Sequence, residues 1–137
     1  MNLGLGIAFL ATISSIPALA NSPVSVASGD WSNIPFIRQS GSLRLSDAVI
    51  DKIETAAIGE CALPGQSERH VRLTIPFMVQ FTPAGAVQQV VVKRLNCPAI
   101  EQAAGGALLQ LAKDGEYRPT GENSEGWYRG ELSITSR

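Results

Sequence analysis

The stretch VRLTIPFMVQFTPAGAVQQVVVKR, Val71 to Arg94, decides the fold. Up to Phe81 its odd positions are Val71, Leu73, Ile75, Phe77, Val79 and Phe81, and the even ones are Arg72, Thr74, Pro76, Met78 and Gln80. Side chains of a strand alternate between two faces, so this spacing predicts a strand over 71–81 with one buried face. Pro76 has no amide to give a ladder, and a bulge or a change of pairing is expected there. Thr82 to Ala86 form a short turn, with Gly85 supplying the positive φ a tight hairpin needs. A second strand follows over 87–94, centred on Val90, Val91 and Val92.

Helical periodicity flanks this hairpin on both sides. Leu45, Val49, Ile50, Ile53, Ala56 and Ala57 recur at three and four, which predicts a helix from Ser46 to Ile58. Ser46 is placed to accept from a free amide of the first turn, and Asp47 suits the positive end of the helix dipole. Gly59 stops this helix, and Cys61 lies just beyond it. After the hairpin, Pro98 suits a first-turn position because its missing amide is not needed there. Ile100, Ala103, Ala104, Ala107, Leu108 and Leu111 then mark a second helix ending at Asp114 and Gly115. Gly105 and Gly106 weaken it by about 1 kcal/mol each. They either let the helix sit close on a sheet or make it flexible. Glu116 to Glu125 reads as a polar connection and Trp127 to Thr135 as a last strand.

The order helix, strand, strand, helix, strand predicts an α+β domain. Two helices pack on one face of a three-stranded antiparallel sheet, with the 71–81 strand in the middle, order 2-1-3. The last strand is then an exposed edge.

Ahead of this domain the chain divides in two. Leu3 to Ile16 is apolar or small and uncharged, long enough for a secretory h-region and short for a membrane span. Ala18 and Ala20 suit signal peptidase, so residues 1–20 read as a signal peptide cut before Asn21, and the mature protein as periplasmic, with no integral span after processing. No Lys or Arg precedes the apolar run, which keeps an uncleaved anchor as the alternative. Residues 21–44 are rich in Ser, Pro, Gly and Asn and read as an extended leader, the domain proper being 45–137. Trp31, Ile34, Phe36 and Ile37 form an apolar cluster within the leader. It either folds back onto the domain, the reading we favour, or waits for a partner.

Composition excludes more than it assigns. Eleven basic and 12 acidic residues give a formal charge of -1 without blocks, so no nucleic-acid footprint is present. Cys61 and Cys97 are the two cysteines, and an even count in an exported domain reads as a disulfide. Closing a loop of about 37 residues is worth roughly 4 kcal/mol in the chain-entropy model. His70 is the single histidine, without a second ligand at metal spacing, so neither a metal nor a cofactor is expected. A disulfide leaves no thiol nucleophile, no Gly-x-Ser-x-Gly elbow is present, and Asp47, Asp51 and Glu54 read as a solvated helix face. No catalytic residues are assigned, and the expectation is a protein that is not an enzyme. Paired carboxylates from distant strands keep a small secreted enzyme as a remote alternative.

The segment from Phe77, Val79, Phe81, Ala84, Gly85, Val87, Val90 and Val92 through Pro98, Ala99, Ile100, Ala103 and Ala104 to Tyr117, Arg118 and Pro119 resembles the periplasmic C-terminal domain of the TonB and TolA energy-transducing proteins. Cys61 and Cys97 are similar in position to the TolA bridge. The resemblance covers about Leu45 to Ile134, but the membrane anchor and long spacer of those transducers have no counterpart here. It implies a stand-alone envelope protein with a role in transport, binding a segment of an envelope protein, an outer-membrane receptor or a porin, by strand addition. The binding edge would be Trp127, Tyr128, Arg129, Glu131, Ser133 and Thr135. The alternative is a structural subunit or homodimer paired through that edge; charges that merely shield the edge from aggregation are the plainer reading.

Overall fold

The structure, a computed structural model, describes residues 23–39, 45–67, 71–121 and 126–135. Residues 1–20, read from the sequence as a signal peptide, the expected cut before Asn21, and His70 lie outside the described residues. Among the described residues there are two α-helices, a π-helical turn and two sheets. In chain order the strands and α-helices are β1 (Val24–Ala27), β2 (Arg38–Gln39), α1 (Asp47–Thr55), β3 (Arg72–Phe81), β4 (Val87–Lys93), α2 (Pro98–Lys113), β5 (Tyr117–Arg118) and β6 (Trp127–Thr135).

The alternation of β3 carries into three dimensions. Ile75, Phe77, Val79 and Phe81 are buried, and they meet Val90 and Val92 of β4 and Tyr128, Leu132 and Ile134 of β6 on the same face. Gly85 turns the hairpin at φ 88°. The change of pairing expected at Pro76 is present, because β3 pairs with β6 alone up to Pro76 and with β4 as well from Phe77 on, whereas the bulge lies near the hairpin. There Gln80 pairs with Gln89 and Phe81 with Val87, leaving Gln88 as the extra residue. Pro76 is accommodated by its position. The Phe81 amide donates to Gly126 O on the β6 side, so the even residues of β3 point their amides toward β4. Pairing with β4 starts only at Phe77, and the amide that Pro76 lacks would have pointed past its end.

The expected three-stranded antiparallel sheet of order 2-1-3 is corrected by the leader. The main sheet has four strands in the order β1-β4-β3-β6 and is mixed, because β1 runs parallel to β4. A separate two-stranded ribbon joins β2 to β5, within what reads from sequence as a polar connection. The sequence Val-Ser-Val-Ala is too short to display a period of two, and parallel pairing needs no adjacent hairpin to announce it. Val24 stands opposite Val90 and Val26 opposite Val92, so β1 extends the valine row of the buried face.

Helix α1 is capped as its sequence suggests, with Ser46 Oγ accepting from the Val49 amide at 3.3 Å. It runs on into a π-helical turn, Ala56–Glu60, ending next to Cys61. Helix α2 begins at Pro98 with Cys97 as its N-cap, and the bridge between Cys61 and Cys97 is formed, with the Cα atoms 5.7 Å apart. Glu101 Oε2 accepts from the Leu95 amide at 2.6 Å and fixes the entry to α2. Ile53 and Ala57, with Ile100, Ala104 and Leu108 of α2, fill one core with the buried face of the sheet. Gly105 is where α2 meets β1: a Cβ there would overlap Val24 Cγ1 and lie 3.3 Å from Val92 Cγ2. Of the two readings of the glycine pair, close approach holds at Gly105, while Gly106 has open space around it.

Candidate functional site

Alternation along β6 fixes what each residue can offer. Tyr128, Leu132 and Ile134 point into the core, and Arg129, Glu131, Ser133 and Thr135 lie on the opposite, open face. The main chain alternates too, between the β3 side and the outer edge. The Arg129 amide donates outward to Pro35 O at 2.9 Å, and Arg129 O accepts from the Ile37 amide at 2.8 Å. Gly130 therefore bonds inward toward β3, opposite Phe77, and the next outward groups are those of Glu131 and Ser133.

The leader occupies the first part of this edge. After β1 it passes over the open face from β4 to β6, two strand spacings or about 10 Å. Lys93 Nζ holds one end by donating to Gly29 O at 2.9 Å, and lies 5.3 Å from the centre of the Trp31 ring. Arg129 holds the other: its Nε donates to Ile34 O at 2.6 Å and its guanidinium sits 3.8 Å from the centre of the Phe36 ring. Val91, on the open face, is only 6 % exposed beneath this strap. Asp30 lies within electrostatic reach of both cations. Its carboxyl is held below the ordinary value chiefly by the Ser32 amide and hydroxyl, with Lys93 and Arg129 adding to the effect.

The strap joins the edge at one point, a parallel bridge between Phe36 and Arg129. Ile37 leans over Gly130, where a Cβ would come within 3.1 Å of Ile37 Cγ2 and 2.7 Å of Phe77 Cζ. The absence of a side chain at Gly130 thus makes a notch, with the Phe77 ring as its floor. Beyond it the chain turns away into β2, where Arg38 pairs with Arg118 and Gln39 with Tyr117. From Glu131 to Thr135 the edge borders a groove of about 430 Å³, walled by Gln39, Tyr117, Leu45, Asp47 and Ile50. Among the described residues, no main-chain partner reaches the outer side of Glu131 or Ser133.

The six edge residues expected from sequence thus have different surroundings. Tyr128 belongs to the core: its hydroxyl accepts from the Gly121 amide at 3.0 Å, and its ring meets Phe81 at 5.9 Å. Trp127 is half-buried at the start of β6, opposite Gln80. Arg129 is engaged by the leader, whereas Glu131, Ser133 and Thr135 line the groove. Sequence reasoning did not place Pro35, Phe36 and Ile37 on this edge or see the role of Gly130. The signal was the leader's apolar cluster, which says that something packs but not where. Tyr117, read as part of a polar connection, is buried against Phe77 with ring centres 5.1 Å apart, and burial pushes its hydroxyl up to about 12.

Compared with protein-family models, curated proteins and solved structures, the chain matches none. Among the described residues no helix is long and apolar enough to cross a membrane.

Proposed function

We propose that this protein is an exported, periplasmic binding module, similar in action to the TonB and TolA C-terminal domain. On this reading it takes up an extended segment of an envelope protein, such as a receptor or porin, as an added strand on the outer edge of β6. The observation that carries the reading is the run from Glu131 to Thr135, where outward main-chain groups border a groove of about 430 Å³. A sheet edge left open in this way either attracts another strand or is defended against one. Glu131 is the only charged side chain on this part of β6, a light defence.

The test uses Ser133→Pro, which removes an outward amide and leaves the inward ladder to β3 in place. Crosslinking in intact envelopes is expected to capture partners with the wild-type chain and to lose them with the proline variant. Equal capture by a folded Ser133→Pro chain would falsify strand addition at this edge. Gly130→Pro is no substitute, because its amide serves the β3 ladder. A second reading, a subunit that pairs through the same edge with another copy, predicts an obligate dimer in light scattering that Ser133→Pro dissociates.

A further inference from the structure

We propose that Ile34–Ile37 is a built-in stand-in for the partner strand. The segment it represents is extended, runs parallel to β6, and carries an aromatic residue followed by a β-branched aliphatic one. This inference rests on the strand-addition reading above and specifies which partner that edge selects.

The strap makes each kind of contact that an added strand makes, over a minimal length. Its main chain exchanges two hydrogen bonds with Arg129. Its successive side chains then take opposite faces, as strand residues do. Phe36 lies on the open face against the Arg129 guanidinium, and Ile37 lies in the notch at Gly130. Arg129 and Gly130 thus read two adjacent positions of whatever strand lies there, one by attraction between a cation and a ring, the other by room for a branched aliphatic group.

The strap is also built to leave. It touches β6 at a single bridge, and Phe36 remains 57 % exposed, so little apolar burial holds it in place. After Ile37 the chain turns off to pair with β5, just where the outward groups of Glu131 and Ser133 begin. A free strand need not turn. In the parallel direction set by Phe36 and Arg129, it can continue along the groove to Thr135 and form the bonds that the strap forgoes.

The probe is the heptapeptide Asn-Ile-Pro-Phe-Ile-Arg-Gln, the sequence of residues 33–39. It is titrated into the full chain and into a Phe36→Ser, Ile37→Ser variant, in which the internal occupant is weakened and β6 is untouched. Amide shifts are expected between Tyr128 and Ser133, with affinity at least tenfold higher for the variant. A peptide with serine at both recognition positions should bind neither protein. Equal affinity for the two proteins, shifts elsewhere, or no binding to either overturns the proposal. Hydrogen exchange on the wild-type chain provides a readout independent of the variant's folding: saturating peptide should speed exchange at the Ile37 amide while Arg129 stays protected, and no change at Ile37 also overturns it. If the peptide fails while envelope crosslinks remain sensitive to Ser133→Pro, strand addition survives without the stand-in. Loss of both results sinks both.

Discussion

At the β4 edge the leader pairs over four consecutive residues, Val24 to Ala27, whereas at the β6 edge it bridges at Phe36 alone. The first contact is finished at both ends, by the Val90 amide donating to Pro23 O and the Arg94 amide donating to Ala27 O. It is also packed from below, where Val24 sits against the bare Cα of Gly105. The second contact depends on one arginine and a glycine notch, and leaves an aromatic ring in water. One segment therefore serves as a component of the fold at one edge and as a removable cover at the other. Local stability follows buried contact, so the two ends should open at different free energies although they belong to one leader.

The largest effect on this contrast should come from the disulfide. Replacing Cys61 and Cys97 together with alanine is expected to lower unfolding stability by roughly 4 kcal/mol, read from the urea midpoint. Cys97 caps α2, and α2 carries β1, so amide protection in β1 should fall with it. A midpoint that barely moves would mean that α2 is seated without the bridge. Gly105→Ala comes next, with a net loss of about 1–2 kcal/mol. Overpacking against Val24 and Val92 outweighs the gain of about 1 kcal/mol in helix propensity. Gly106→Ala, with nothing nearby, should be neutral or raise stability by up to about 1 kcal/mol. Opposite signs at adjacent glycines would localise the β1 contact, and equal signs would break the account of that edge.

What the sequence made legible was local. The period of two in 71–81, the glycine turn at 85, the Ser46 cap, the stripe of α2 and the cysteine bridge are each written in a few neighbouring residues. What it hid was pairing at a distance. Val24 finds Val90 far along the chain, and four residues diluted by serine and alanine carry no periodic signal of their own. The short ribbon between Arg38 and Arg118 is hidden for the same reason. On β6 the alternation of side chains was readable, but the alternation of main-chain groups between β3 and the outside was not, since it depends on which strand lies on which side. Gly130 shows the same limit: the sequence says only that one position of β6 has no side chain, and its surroundings make it a notch for Ile37.

At the β6 edge, Arg129→Ala is expected to release the strap without unfolding the domain. The hydrogen bond to Ile34 O and the contact with Phe36 together hold about 1–2 kcal/mol. Exchange at the Ile37 amide should therefore accelerate roughly tenfold, while β1 amides and the thermal midpoint stay near wild type. If β1 amides accelerated equally, the leader would open as one unit and the two edges would not be independent.

The smallest effect concerns Tyr117, which walls the groove beside the open half of β6. Burial raises its hydroxyl from 10.0 to about 12, because the phenolate would lose hydration against Phe77. An unfolded chain releases this proton near pH 10 and the folded chain keeps it, so the unfolded state binds fewer protons between these values. Stability from Tyr117 is accordingly whole below pH 10 and falls as pH rises from there through about 12. Tyr117→Phe keeps the ring and removes the proton, so urea midpoints of the variant should decline less steeply over that window. Since Tyr117 pairs with Gln39 where the leader leaves the edge, alkaline loosening should appear first at the groove and β2, with β1 unaffected. A uniform loss of protection at both edges would assign the alkaline transition to the whole domain and remove Tyr117 as the link between groove and leader.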